Sequence, residues 1–138
     1  MFSRILVPVE LSEKDVRAVD AARELASGPG AEVTLLHVIE TLDLPFDELE
    51  DFYAKLEERA KAVVDVLAAR LSEAGVAVAS RIEFGARVPE ILACARECEA
   101  ELVVLVARTV DPGHPAGAWS GIAYQTSILL PGAVLLLK

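Results

Sequence analysis

Three short segments of this chain are apolar at nearly every position instead of at every second position. They are residues 5–9 (ILVPV), 33–39 (VTLLHVI) and 102–106 (LVVLV). A strand with one face in water alternates apolar and polar residues, so an unbroken apolar run predicts a strand covered on both faces. Each run is far shorter than the roughly 18 residues needed to cross a bilayer. The chain therefore needs helices above and below a sheet.

Helical patterns separate these strands. Apolar residues recur at helical spacing over 16–26 and over 49–71, and Pro89 suits the first turn of a third helix that runs through Cys98. Ser12 is the predicted N-cap of the first helix. A short fourth helix is predicted over 120–130, before the break at Pro131-Gly132.

Two further strands complete the pattern. Residues 76–84 alternate with period two, which predicts an edge strand, and 133–137 (AVLLL) form the last strand. Five strands separated by helices require parallel pairing with right-handed crossovers. We therefore predict an α/β fold of three layers, with a five-stranded parallel sheet in a single domain over 1–138.

Sheets of this class bind ligands beyond the carboxyl ends of their strands, where the strand order reverses. That crevice is expected between the first and fourth strands. Its predicted walls are Pro8–Glu10, Val38–Glu40 and Ala107–Thr109.

Composition excludes several classes of protein. The 138 residues carry a net charge of −9, which argues against a nucleic-acid surface because phosphate contacts need a basic face. The start, MFSRILVPV, lacks the features of a signal peptide, so we expect a cytoplasmic location and no membrane insertion. Cys94 and Cys98 are spaced CxxxC and are interpreted as small apolar core residues on one helix face, not as metal ligands.

The chain also offers little catalytic chemistry. Asp111, His114 and Ser120 contain the residue types of a hydrolase triad, but the nucleophile motif GxSxG is absent, and so is a GxxxxGK loop. His37 lies in an apolar strand and is expected to be a core or sheet-end histidine. We therefore predict no catalytic residue, no metal site and no enzymatic activity.

Several stretches together resemble the universal stress protein family over nearly the whole chain. They are ILVPVELSE (5–13), AEVTLLHVIE (31–40), FGARVPEIL (84–92), AELVVLVAR (100–108) and the closing PGAVLLL. The resemblance implies the sheet order 3-2-1-4-5 of the adenine-nucleotide alpha-hydrolase-like fold. It also implies a homodimer and a role in the stress response.

Within this family the resemblance distinguishes members that bind ATP from members that do not. The binders share a loop that reads Gly-x-x-Gly, nine residues, then Gly-Ser or Gly-Thr, whose amides cradle phosphates. Here the two first glycine positions hold Ala107 and Val110, and Ser120-Gly121 stands where Gly-Ser is expected. A side chain in a left-handed conformation costs about 1–2 kcal/mol, and more if it is β-branched. The resemblance therefore implies the kind that does not bind ATP, with no cofactor.

Two other positions of the family pattern are altered. Glu10 stands where the family usually has an Asp that contacts the nucleoside, and Leu11 replaces a Gly and is expected to narrow the pocket mouth. Arg108 is a candidate phosphate contact, or else an ion-pair partner of Glu10 or Glu40. Ser120 is a helix cap or a phosphate donor. If ATP does bind, the expected contacts are Pro8, Val9, Glu10, Val38, Ala107, Arg108, Val110, Ser120 and Gly121.

The last strand is apolar and lies at an edge of the sheet, and such an edge must be covered. The resemblance implies that two copies pair through it, by Val134, Leu135, Leu136 and Leu137. The favoured function is a non-catalytic stress-response binding or signalling module, acting on an unknown protein partner or small ligand. The alternative is an ATP-binding member with an altered phosphate loop.

Overall fold

The described residues fold into one parallel sheet flanked by four helices. A computed structural model describes residues 2–41, 49–108, 112–113 and 121–138. In chain order the elements are β1 (Arg4–Pro8), α1 (Asp15–Leu25), β2 (Glu32–Glu40), α2 (Glu50–Glu73), β3 (Ala77–Gly85), α3 (Arg87–Glu97), β4 (Leu102–Val106), α4 (Ile122–Leu129) and β5 (Ala133–Leu137).

The strands are all parallel and lie in the order β3-β2-β1-β4-β5, which confirms the predicted order. The central strand β1 pairs with β2 on one side, where Ile5 faces Val33, and with β4 on the other, where Ile5 faces Leu102. The period-two segment forms β3 at one edge, as its alternation predicted, and β5 forms the other edge.

Alternate residues of the inner strands fill two separate cores. On one face Ile5, Val33 and Val104 pack against α1 and α2; on the other, Leu6 and Val103 pack against α3. All five side chains are at most 2% exposed. This explains the unbroken apolar runs, because successive side chains of a strand point to opposite faces and both faces are covered.

The two cysteines belong to the second of these cores. Cys94 is buried in it and Cys98 packs against it, which supports their interpretation as core residues. Burial raises the pKa of the Cys94 thiol to about 11. The thiol is therefore protonated at neutral pH and is a poor nucleophile.

The beginning of the first helix differs from the prediction. Helix α1 begins at Asp15 and its N-cap is Lys14, so the prediction that Ser12 is the N-cap is wrong. The Ser12 hydroxyl instead donates to the carboxylate of Glu10 at 2.8 Å and accepts from the amide of Lys14 at 3.3 Å. It stabilises the turn before the helix.

Two helices end in the same hydrogen-bonded motif with different residues. After α2, the amide of Val76 donates to the carbonyl of Leu71, and Gly75 has φ +82°. After α3, the amide of Ala100 donates to the carbonyl of Ala95, and Glu99 has φ +52°. This Schellman geometry needs a left-handed residue, which glycine adopts without strain and glutamate does not.

Because the ends of α2 and α3 share this geometry, substitutions at Gly75 and Glu99 should change the free energy of unfolding in opposite directions. Glu99→Gly should raise the free energy of unfolding by about 0.5–1 kcal/mol, because it removes left-handed strain; Gly75→Ala should lower it by about 1 kcal/mol. The ion pair from Glu99 to Arg4 spans 3.8 Å between exposed side chains, so its loss costs little. Urea unfolding followed by circular dichroism measures both. A loss of stability in Glu99→Gly would contradict the assignment of strain.

Candidate functional site

A crevice opens beyond the carboxyl ends of β1 and β4, where the strand order reverses, as predicted. Pro8, Val9 and Glu10 line it from β1, Val38 from β2, and Ile91 and Ile122 from the helices. Its walls are mostly apolar, and its enclosed volume is about 70 Å³. Among the described residues, Glu10 and Arg87 are the charged ones that line it.

A buried carboxylate fixes the turn between β1 and α1. Asp15 is 1% exposed, and its two carboxylate oxygens accept the backbone amides of Glu10 at 3.0 Å and of Ser12 at 3.1 Å. Between these two amides, Leu11 has φ +63°. A left-handed leucine costs about 1–2 kcal/mol, so the carboxylate and the packing of Leu11 must offset that strain.

The environment of Asp15 acts on its pKa in both directions. Desolvation raises the pKa above 3.8 and the amide hydrogen bonds lower it, with desolvation the larger effect. Five residues along the same helix, Asp20 accepts two hydrogen bonds from the guanidinium of Arg70, at 2.6 and 2.9 Å. These bonds hold the pKa of Asp20 below 3.8.

The carboxylate of Glu10 is exposed at the mouth of the crevice. It already accepts the Ser12 hydroxyl at 2.8 Å. Leu11, which follows it, is partly buried and packs against the core that covers α1 and α2. The side chain of Leu11 lines a neighbouring cavity, not the crevice.

The segment after β4 is tied to the sheet and to α4. Ala107 is 3% exposed, and its amide donates to the carbonyl of Leu137 at 2.7 Å. The hydroxyl of Tyr124 donates to the carbonyl of Arg108 at 2.9 Å. The first amide of the predicted phosphate loop is thus used inside the sheet.

One ion-pair prediction is wrong. Glu40 pairs with Arg87, with Nε 2.9 Å from Oε1, and not with Arg108. Arg108 is exposed and forms no ion pair with Glu10 or with any other residue in the described ranges. Arg87 lines the crevice, and Arg108 does not.

Sequence reasoning missed Arg87 because it considered the ends of β1, β2 and β4 only. Arg87 begins α3 directly after β3, whose last residue, Gly85, pairs with Glu40 of β2. The carboxyl ends of parallel strands meet at one edge of the sheet, so this position was a signal for a cation beside the crevice.

His37 lies at the end of the sheet, as expected. Its Nδ1 lies 2.8 Å from the carbonyl oxygen of Val9. A carbonyl only accepts, so Nδ1 carries a proton and donates to it. The ring links β2 to the residue that follows β1.

The crevice brings together four of the nine predicted contacts, namely Pro8, Val9, Glu10 and Val38. Ala107, Arg108 and Gly121 do not line it, although their neighbours Val106 and Ile122 do. Val110 and Ser120 lie outside the described residues, as do Asp111 and His114 of the triad considered from the sequence. Over 2–41, 49–108, 112–113 and 121–138 no group of three metal-binding side chains occurs.

Comparison with known proteins identifies the family. The model of the universal stress protein family matches residues 1–118. The chain belongs to the universal stress protein family. No helix in the described part of this universal stress protein has a stretch long and apolar enough to span a membrane.

Solved structures with this fold include other members of the family. A universal stress protein from Burkholderia pseudomallei is 27% identical with a TM-score of 0.76, and the match covers 98% of this chain and 95% of that one. A universal stress protein in complex with cAMP is 17% identical with a TM-score of 0.74 and coverage of 99% and 97%. One from Archaeoglobus fulgidus in complex with dAMP is 20% identical, with a TM-score of 0.72 and coverage of 98% and 97%.

The two aspartates of α1 predict separate titrations. The carboxyl carbon of Asp15 should titrate with a midpoint above 3.8, and that of Asp20 below 3.8. Because folding raises the pKa of Asp15, protonation favours the folded state. The free energy of unfolding of the wild type, relative to that of Asp15→Asn, should therefore be largest below pH 3.8. This difference should fall as the pH rises through the pKa of Asp15 in the folded protein. Carbon-detected NMR titration and urea unfolding against pH measure both effects; an Asp15 midpoint below that of Asp20 would contradict them.

Proposed function

We propose that this universal stress protein is a non-catalytic binding or signalling module whose crevice does not hold ATP efficiently. The size of the crevice carries this proposal. Its volume of about 70 Å³ is well below the roughly 300–1,000 Å³ of typical small-molecule pockets.

The charges around the crevice also disfavour a polyphosphate. Arg87, the cation that lines it, is already paired with Glu40 at 2.9 Å, and the carboxylate of Glu10 lies at the mouth. A triphosphate would meet one neutralised guanidinium and one unpaired negative charge. Micromolar binding requires about 8 kcal/mol, and each charge-assisted hydrogen bond contributes roughly 1.5–3 kcal/mol. The described lining residues therefore supply too few donors.

The loop residues support the same proposal. The amide of Ala107 donates to Leu137 and so does not face a ligand. Val110 carries a β-branched side chain where the binders have glycine. Both positions carry a side chain where the binders have glycine, so the backbone there is less able to approach a phosphate closely.

A second candidate function is that of an ATP-binding member with an altered loop. Two observations favour it: family members are known in complex with cAMP and with dAMP, and the crevice still gathers Pro8, Val9, Glu10 and Val38. In this case Arg108 and Ser120 would contact the phosphates. The two candidates differ in whether the crevice binds ATP, so titration with nucleotide separates them.

The first function predicts weak nucleotide binding. Protein purified from cells and denatured by heat should release no nucleotide, and calorimetric titration with ATP and Mg²⁺ should give a dissociation constant above about 1 mM, or less than about 4 kcal/mol of binding free energy. Micromolar binding by the wild type would support the second function instead.

Restoring the loop sequence of the ATP-binding members tests whether the altered loop is what prevents ATP binding. The quadruple variant Ala107→Gly, Val110→Gly, Ser120→Gly, Gly121→Ser should gain ATP affinity of at least tenfold, because removing the side chains at 107 and 110 lets the phosphates approach the loop backbone. The variant Ala107→Gly alone is the matched control and should gain little. An unchanged affinity in the quadruple variant would mean that Glu10 or the crevice walls exclude the nucleotide.

We also propose that two copies pair through β5. In the described part of the chain no strand lies beyond β5, and all five of its residues are half-buried. Leu137 turns its carbonyl toward β4 to accept from Ala107. Backbone polar groups alternate in direction along a strand, so those of Val134 and Leu136 face the open edge. An apolar edge with free amides is suited to pairing with a second copy.

A proline substitution tests this pairing without opening the sheet. Leu136→Pro removes an amide that faces outward, so the fold should survive while the dimer is lost or weakened at least tenfold. Leu135→Pro removes an amide that faces β4 and should unfold the protein. Light scattering at micromolar concentration and circular dichroism measure the two effects. A wild-type monomer, or a folded Leu136→Pro variant with unchanged assembly, would overturn the proposal.

A further inference from the structure

A second cavity, larger than the crevice, lies between the end of β2 and the middle of α2. Its volume is about 250 Å³. We propose that this cavity binds a small amphipathic anion: an apolar body that carries one anionic headgroup. The proposal does not rest on the proposed function, because it concerns a different cavity.

The inner part of the cavity is apolar. Leu11, Ile39, Leu56 and Val63 line it. Ile39 is 5% exposed and belongs to the small core that also contains Tyr53, while Leu11 and Leu56 pack against that core. These side chains come from the β1–α1 turn, from β2 and from α2, and they offer an apolar body a surface on several sides.

Among the described residues that line the cavity, the outer ones carry an excess of positive charge. Arg59 and Arg87 both line it, with Glu40 as the carboxylate among its lining residues. Glu40 is paired with Arg87, whereas Arg59 is exposed and forms no ion pair with any described residue. A local charge of +1 stands out on a chain with a net charge of −9. It favours a ligand with a single negative charge, and a guanidinium fits carboxylate and phosphate groups alike.

The imidazole of His37 lies beside the apolar surface and can orient a bound ligand. His37 lines the cavity, and its Nδ1 is used by the carbonyl of Val9. A ligand can therefore reach only Nε2, which accepts a hydrogen bond when the ring is neutral. A hydroxyl or amide on the ligand would satisfy it.

The cavity and the crevice can be tested separately. Both are lined by Val38 and Arg87, but Arg59 and Val63 line only the cavity, and Ile122 lines only the crevice. Substitutions at the unshared residues therefore report on one site at a time.

The first experiment uses 1-naphthoate as the probe in calorimetric and NMR titrations of the full chain. We expect saturable binding at one site per chain, about two- to fivefold weaker in Arg59→Gln, as expected for one exposed charge contact. Lys61→Gln is the matched control: Lys61 is exposed on the same helix, forms no ion pair with a described residue and does not line the cavity, so this variant loses the same charge and should bind as the wild type does. Equal affinities in the two variants, or no saturable binding up to about 10 mM probe (less than about 3 kcal/mol of binding free energy), would overturn the proposal.

The second experiment fills each site in turn. Val63→Phe should abolish naphthoate binding, while Ile122→Phe should leave it unchanged; the reverse result would place the probe in the crevice and overturn the proposal. Neutral 1-naphthylmethanol and inorganic phosphate should each bind at least tenfold more weakly than naphthoate. The first lacks the anionic headgroup and the second lacks the apolar body. Thermal unfolding of every variant verifies that it is folded. ATP affinity in Val63→Phe is measured in parallel, so that a failure of this proposal is distinguished from a failure of the proposed function.

Discussion

The burial of β1 on both faces and along both edges is the constraint on which the rest of the molecule depends. Its residues 5–7 are at most 1% exposed, and it pairs with β2 on one side and β4 on the other. Since backbone polar groups so deeply buried must be hydrogen-bonded, the neighbouring strands have to be in place before β1 is stable. The strand order then reverses at β1, and this places a crevice at its carboxyl end.

Much of the fold could be predicted because the spacing of apolar residues along a strand shows which of its faces are buried. The runs 5–9, 33–39 and 102–106 are apolar on both faces because helices cover both faces, and the alternation of 76–84 reflects the position of β3 at an edge. The strand order came from resemblance to a family, since periodicity does not state which strands are neighbours. That order is confirmed.

The details of the site were predicted less well, because they depend on contacts between distant segments. Ser12 has the chemistry of a helix cap, but the carboxylate of Asp15 binds the amides of Glu10 and Ser12, and the helix begins two residues later than a Ser12 cap requires. Arg108 was the expected cation of the crevice, yet Arg87 reaches it from the start of α3. Long side chains reach across several ångströms, so sequence position alone does not decide which arginine meets a given carboxylate.

The turn after β1 also bears on the competition between intramolecular and external ligands. Two amides that an incoming anion would otherwise find there are bound by Asp15, a carboxylate belonging to the same chain. A group attached by only a few bonds has an effective concentration that free ions in solution seldom match. The two amides of this turn are therefore already occupied by a side chain of the same protein. A regulator that binds at the turn must either displace Asp15 or bind without using these amides.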